Sequence, residues 1–334
     1  MRRRAAELAL GAAAAGAGLG AALMLLRETD AKRITADPEW QRLNEPLEGR
    51  ELEVRSGDGA RLHVEAFGPD DAPTIVLVHG WICALRLWRY QIETLAGDFR
   101  VVAYDQRGHG RSGPAPGDDY SIEALARDLD AVLDACALKD PVALGGHSMG
   151  AMTIAAWAAD HPREISERVR GAALFSTAMG DMITESLVLR APARLDGTRQ
   201  RIGHALLCNQ APLSAVPAPM LHRGVRQIAL SAAATPGQVA FCERMFVDCS
   251  PDVRGGCGGT LSSLELHEAI KSLDVPTVVV TGARDRLTPA AHSRRFAATL
   301  PRLVELVEVP GVGHMTPVEA PAEVGAALRS VATT

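Results

Sequence analysis

Lysine is almost missing from these 334 residues: Lys32, Lys139 and Lys271 are the only three, and arginine carries the rest of the positive charge. Acidic residues outnumber basic ones and the net charge is −5, so there is no electrostatic case for holding a nucleic-acid backbone, which takes a concentrated basic face. Aromatics are scarce as well, at 4%, and the tyrosines, Tyr90, Tyr104 and Tyr120, all lie in the first 120 residues. The six cysteines form no paired C-x-x-C, and His204, His222 and His267 have no ligand-like spacing, so neither a zinc site nor any other cofactor is expected.

What the chain does have is hydrophobic mass, 47% over 334 residues, enough to bury the core of one large domain with an N-terminal addition. It also has Gly146-His147-Ser148-Met149-Gly150. The preceding Pro141-Val142-Ala143-Leu144 is short and apolar, as a buried parallel strand is, and Ala151 to Ala159 has high helix propensity. A strand that turns abruptly into a helix strains its apex residue, and flanking glycines remove the side chains that would collide there. Ser148 then stands at a helix N-terminus, where the dipole favours developing negative charge, and reads as a nucleophile.

A serine hydroxyl needs a base within hydrogen-bond reach and a third group to orient that base. Where such a triad runs serine, acid, histidine along the chain, the base comes near the C-terminus, which leaves His292 and His314. His292 sits in the first turns of an expected helix and reads as a residue of its solvated face. His314 follows the alternating strand Leu303 to Val309 in a Gly-flanked loop, the place where such sheets put their chemistry. By the same logic the strand Val278 to Gly282 delivers Asp285 as the acid, with Asp181 and Glu185 as distant alternatives after the preceding strand. The backbone amide of Met149, directly after the nucleophile, and that of Trp81, after the strand ending in His79-Gly80, are the expected oxyanion donors.

Five segments in this order resemble the α/β-hydrolase superfamily: His79-Gly80 after a strand, Asp105 to Ser112, the Ser148 elbow, Gly282 to Asp285, and Gly313-His314. The resemblance runs from about Glu51 to Val331. It implies an α/β fold with a mostly parallel central sheet, helices on both faces and an inserted helical lid at about residues 180–272. It also implies that His109 and His147 belong to the scaffold. Epoxide hydrolases and dehalogenases of the family use an aspartate where this chain has Ser148, and no tyrosine lies in the insertion to polarise an epoxide. The function implied is a serine hydrolase of esterase or lipase type, acting on small-molecule carboxylic esters through an acyl-enzyme on Ser148. Trp81 behind His79-Gly80 keeps a cofactor-free haloperoxidase or perhydrolase as an alternative, although Ile82 stands where those enzymes usually have proline. A thioesterase, or a non-catalytic receptor on the same fold, are further alternatives.

Around this domain, Met1-Arg2-Arg3-Arg4 precedes an uncharged run from Leu8 to Leu26, long enough to approach a bilayer span though weakly apolar. With no small-x-small site after it, residues 1–33 are expected to be an uncleaved signal anchor holding the domain at a membrane of the cell envelope; a cleaved signal or a cytoplasmic chain are the alternatives. Residues 34–50 read as a polar linker or docking arm, and Glu51 to Arg55 with Arg61 to Ala66 as a hairpin. Cys208, Cys242, Cys249 and Cys257 lie in the insertion, where a disulfide is permitted and free thiols are the default. Leu187, Val188, Leu189, Leu206, Leu207, Met220 and Leu221 are its candidates for lining an acyl pocket, or for its own core. Oligomeric state is not readable.

Overall fold

The computed structural model describes residues 20–136, 140–188 and 195–334. Apolar runs bounded by turn residues form eight strands: β1 (Arg50–Arg55), β2 (Arg61–Phe67), β3 (Thr74–Val78), β4 (Arg100–Asp105), β5 (Val142–His147), β6 (Val169–Phe175), β7 (Thr277–Gly282) and β8 (Leu303–Val309). They join in one sheet ordered β1-β2-β4-β3-β5-β6-β7-β8. The hairpin β1–β2 is antiparallel and meets β4 antiparallel; every pairing beyond that is parallel. Parallel neighbours need crossover connections, which put helices on both faces of the sheet.

The two faces bury different residues of the same strands, because side chains alternate along a strand. Val76 and Val78 of β3 and Val102 and Tyr104 of β4 point into one hydrophobic layer, while Ile75, Leu77, Val101 and Ala103 point into the other. Beyond the helical residues 20–35, the helices of seven residues or more are, in chain order, α1 (Pro38–Asn44), α2 (Arg89–Leu95), α3 (Ile122–Ala135), α4 (Met149–Asp160), α5 (Asp196–Leu207), α6 (Ala218–Ala229), α7 (Pro236–Asp248), α8 (Pro251–Ser262), α9 (Ala290–Ala297) and α10 (Pro321–Ala332). Helices α3, α4 and α9 cover the first face; α2 and α10 cover the second. In α3 the stripe Ile122, Leu125, Leu129, Val132 and Leu133 is buried as its spacing predicts, and Ser121 caps the helix by accepting from the Ala124 N–H.

Helices α5 to α8 all belong to the insertion between β6 and β7. Within the stretch expected as a linker or docking arm, α1 is seated on α7: Leu43 is buried, and the Asp37 carboxylate both caps α1 and accepts from the Gly237 N–H at 2.7 Å. Residues 20–35 are helical and largely exposed, tied to α6 by an ion pair between Asp30 and Arg223 at 2.8 Å. The greater part of the run from Leu8 to Leu26 lies outside the described residues, and among the described residues no helix is long and apolar enough to cross a membrane. All six cysteines are unpaired thiols, and burial raises the titration of Cys136, to about 11, and of Cys249, to about 12.

Candidate active site

β5 ends at His147 and α4 begins at Met149, so Ser148 alone makes the turn from strand to helix. Its backbone sits at φ 52, ψ −118, a conformation that side-chain-bearing residues rarely adopt and that only an over-determined surround can hold. Part of that surround is Gly150, where a Cβ would fall 2.1 Å from the Val78 carbonyl oxygen; the glycine lets α4 approach the end of β3. The Ser148 N–H donates to the Phe175 carbonyl at 2.9 Å, fixing the elbow to β6.

The loops after β7 and β8 bring Asp285 and His314 to this apex. His314 Nε2 lies 3.1 Å from Ser148 Oγ, and His314 Nδ1 lies 2.8 Å from Asp285 Oδ2. All three side chains are nearly enclosed, with exposures of 7% for Ser148, 2% for Asp285 and 6% for His314. Burial pushes the Asp285 carboxyl upward, but the His314 charge and hydrogen bond, with two bonds from Thr288, outweigh it and hold the group below the usual carboxylate range. An ionised Asp285 accepting from Nδ1–H leaves Nε2 free to take the serine proton.

Across from the relay, the end of β3 presses against the elbow: a Cβ on Gly80 would stand 3.1 Å from Ser148 Cβ. Met149 opens α4, where a first-turn amide has no partner inside the helix. Among the described residues neither the Met149 nor the Trp81 N–H donates to any protein acceptor, so both amides are available to a ligand oxygen beside Ser148. The Trp81 side chain reaches the insertion, its indole N–H donating to the Arg254 carbonyl of α8 at 3.1 Å.

A profile for the alpha/beta hydrolase fold matches residues 73–321, about three quarters of the chain and every residue of this site. The chain belongs to the α/β-hydrolase family. It is 30% identical over 296 residues to a "Probable oxidoreductase EphD" of Mycobacterium tuberculosis, covering 84% of this chain and 49% of that protein, so it spans about half the length of this relative. It is 28% identical over 281 residues to the "Bifunctional esterase/perhydrolase DCH" of Acinetobacter calcoaceticus, covering 79% of this chain and 93% of that one. Among solved structures, an esterase from Exiguobacterium antarcticum superposes with a TM-score of 0.70 at 20% identity, over 85% of this chain and 100% of that one, a likeness of fold.

Several residues of this α/β-hydrolase that the motifs did not single out support the relay. Thr288 donates its hydroxyl to Asp285 Oδ2 at 2.8 Å and its N–H to Oδ1 at 2.9 Å, and Leu287 N–H adds another bond to Oδ1 at 2.9 Å. A Thr three residues after an Asp in a loop is the signal that was available for it. Glu319 is the less visible one. Its carboxylate accepts from the Gly313 N–H, next to the histidine, at 3.2 Å and from the Ser231 N–H of the insertion at 2.7 Å, and burial raises its titration. The His314 N–H in turn donates to the Ala229 carbonyl at the end of α6, at 2.9 Å. The His147 ring lies tilted against that of His314, with its Nε2 2.9 Å from the His314 carbonyl oxygen; burial, reinforced by the His314 charge, depresses its titration to about 3, so it stays neutral.

Two expectations need correction. His292 is not on a solvated face: it is 1% exposed and lies 3.3 Å from the Glu185 carboxylate, because α9 turns this side toward the start of the insertion rather than outward. It remains outside the Ser148 cluster. Of the proposed acyl-pocket residues, Leu187, Val188, Leu206 and Met220 are exposed, since the insertion helices bury other faces against the core, and Leu189 lies outside the described residues.

Proposed function

We propose that this protein is a serine hydrolase that cleaves small-molecule carboxylic esters through an acyl-enzyme on Ser148. The reading rests above all on the two hydrogen bonds that run from Ser148 Oγ through the His314 ring to a buried, ionised Asp285. As Oγ attacks the ester carbonyl, His314 Nε2 takes its proton while Asp285 holds the imidazole and stabilises the imidazolium. The carbonyl oxygen becomes negative between the Trp81 and Met149 amides, which have no competing acceptor among the described residues. His314 then protonates the departing alkoxide, leaving the acyl group on Ser148. A water molecule, deprotonated by the same nitrogen, releases the acid.

A fluorophosphonate probe tests the reading directly, because only an activated serine is phosphonylated. Labelling of the wild-type chain that disappears in Ser148→Ala is expected. An unlabelled, folded wild type would leave a non-catalytic receptor as the better account.

A second reading, perhydrolysis, is favoured by the position of Trp81 behind His79-Gly80 and by the activity named for the Acinetobacter relative. Hydrogen peroxide in place of water would attack the same acyl-enzyme, giving a peroxy acid and the free serine. Peroxy acid formation from a short carboxylic acid and peroxide, abolished by Ser148→Ala, is its assay.

The location reading is that the run from Leu8 to Leu26 holds the catalytic domain at a membrane, with residues 34–50 as a spacer. Its basis is the length of the uncharged run and the lack of a good cleavage site after it. Ala and Gly gain little on insertion, so the anchor is marginal. Fractionation of cells expressing the full chain, with the mature N-terminus read by mass spectrometry, tests it; an intact chain in the soluble fraction would defeat it.

A further inference from the structure

One cavity, of about 640 Å³, carries Arg223, Arg226, Arg284 and Arg286 on its walls and no carboxylate among the described residues. It lies between the C-terminal end of α6 with the following residues Leu230 to Ala233, on one side, and the loops holding Arg284, Arg286 and Gly311 on the other. In a chain whose net charge is −5, four guanidinium groups around one opening are a local reversal of sign.

The partners of these arginines leave much of the charge uncompensated. Arg286 donates to the Gln227 carbonyl and Arg226 to the Ala232 carbonyl, contacts that position a guanidinium without neutralising it. Arg223 is paired with Asp30 of the N-terminal helix. Arg284 is exposed; its backbone N–H donates to the Val312 carbonyl, but its side chain has no hydrogen-bond or ion-pair partner among the described residues. A second, smaller cavity shares Arg223 and Arg226 and adds Arg33 together with Asp30, the partner of Arg223, so arginines outnumber carboxylates toward the N-terminal helix as well.

We propose that this groove is an anion site that takes a phosphate ester group. Guanidinium is weakly hydrated and planar, and its parallel N–H donors match the spacing of two phosphate oxygens. Arg226 and Arg286, each braced by one backbone carbonyl, keep further N–H groups without a partner among the described residues, and the Arg284 side chain adds a third guanidinium. The phosphate has two sources. One is the headgroup of an anionic lipid, reached from a membrane surface beside the helix that exposes Met24, Leu25 and Leu26. The other is a soluble phosphate. The site is separate from Ser148 and does not depend on the ester chemistry.

The test uses the full chain and two probes: calorimetric titration with inorganic phosphate at fixed ionic strength, and co-flotation with vesicles of phosphatidylglycerol or of phosphatidylcholine. Insertion of the N-terminal run, flanked by Arg2 to Arg4 and Arg27, would itself favour phosphatidylglycerol, so the readout is the part of the difference between the vesicles that the groove variants remove. Arg284→Gln is the first variant, because the Arg284 side chain has no hydrogen-bond or ion-pair partner among the described residues; Arg226→Gln is the second, with melting temperature as the control for folding. Phosphate binding and a preference for phosphatidylglycerol, both weakened at least tenfold by Arg284→Gln, support a lipid-headgroup site. Phosphate binding weakened in the same way, with a vesicle preference that is absent or unchanged by the variant, supports a soluble phosphate ligand. Absence of phosphate binding in the wild type, or its persistence in both folded variants, overturns the proposal.

Discussion

Replacing Asp285 by Asn would test the relay more sharply than deleting any member of it, because the change is almost isosteric. Both oxygens of Asp285 are engaged: Oδ1 accepts the Leu287 and Thr288 N–H groups, and Oδ2 accepts the Thr288 hydroxyl and faces His314 Nδ1. An amide can keep only one of these sets. With its oxygen on the two backbone donors, its NH2 faces Nδ1, which must then become an acceptor. The ring proton moves to Nε2, so the nitrogen 3.1 Å from Ser148 Oγ can no longer receive the serine proton. The other flip sets the NH2 against two buried N–H donors, which costs on the order of 1–3 kcal/mol per unsatisfied group and is disfavoured. The wrong tautomer in a serine triad lowers kcat by about 10⁴, equivalent to about 5 kcal/mol of transition-state stabilisation. Initial rates of p-nitrophenyl ester hydrolysis near pH 7.5, with the melting temperature as a fold control, measure this. A folded Asp285→Asn protein retaining more than a tenth of wild-type kcat would refute the assignment of Asp285.

His314→Ala should lower kcat by roughly 10⁴-fold or more, as for a group acting within a triad, while folded His292→Ala should stay within about threefold of wild type and melt earlier because a buried side chain is lost. The reverse order in the same ester assay would move the base to His292. Gly150→Ala should prevent the elbow from closing, because its Cβ meets the Val78 carbonyl of a central strand, at a cost on the order of 4 kcal/mol; an unchanged melting temperature would contradict that geometry. Acid should destabilise the protein early: burial holds His79 at about 4 and His109 and His147 at about 3. Against about 6.5 in the unfolded chain, the unfolded state binds the extra protons, so stability falls as pH drops from about 6.5 toward these values. The slope is up to about 4 kcal/mol per pH unit for the three groups, opposed at the acid end by the raised carboxyls Asp105, Asp128 and Glu319. A melting temperature that does not change between pH 7 and pH 5 would show that the imidazoles are not held neutral.

Much of the framework is legible in sequence because it depends on local rules. Buried parallel strands are short apolar runs, and the elbow needs glycine at one fixed spacing from Ser148. Asp285 and His314 follow from their places in the loops after β7 and β8. What stays hidden depends on docking. The helical period of Ala290 to Ala297 locates a helix but not which side meets the insertion, so His292 reads as solvated although it is buried. The same limit applies to Leu206 and Met220, whose hydrophobicity gives no direction. Glu319 is hidden for another reason: its two partners, Gly313 and Ser231, lie far apart along the chain and offer backbone amides, which carry no residue signature.

Those two amides have a bearing on how such proteins recombine. The backbone of His314 hangs from Ala229, and Glu319 ties the residue before it to Ser231, so the C-terminal loop and the end of α6 form one mechanical unit. A chimera that exchanges the whole insertion at the boundaries of β6 and β7 would leave Ser148, Asp285 and His314 in place and still remove two of the anchors of the His314 loop. An insertion grafted onto this framework keeps those anchors when its chain brings a backbone carbonyl and an N–H to the places of Ala229 and Ser231, so the unit to transfer extends beyond the inserted segment to Glu319.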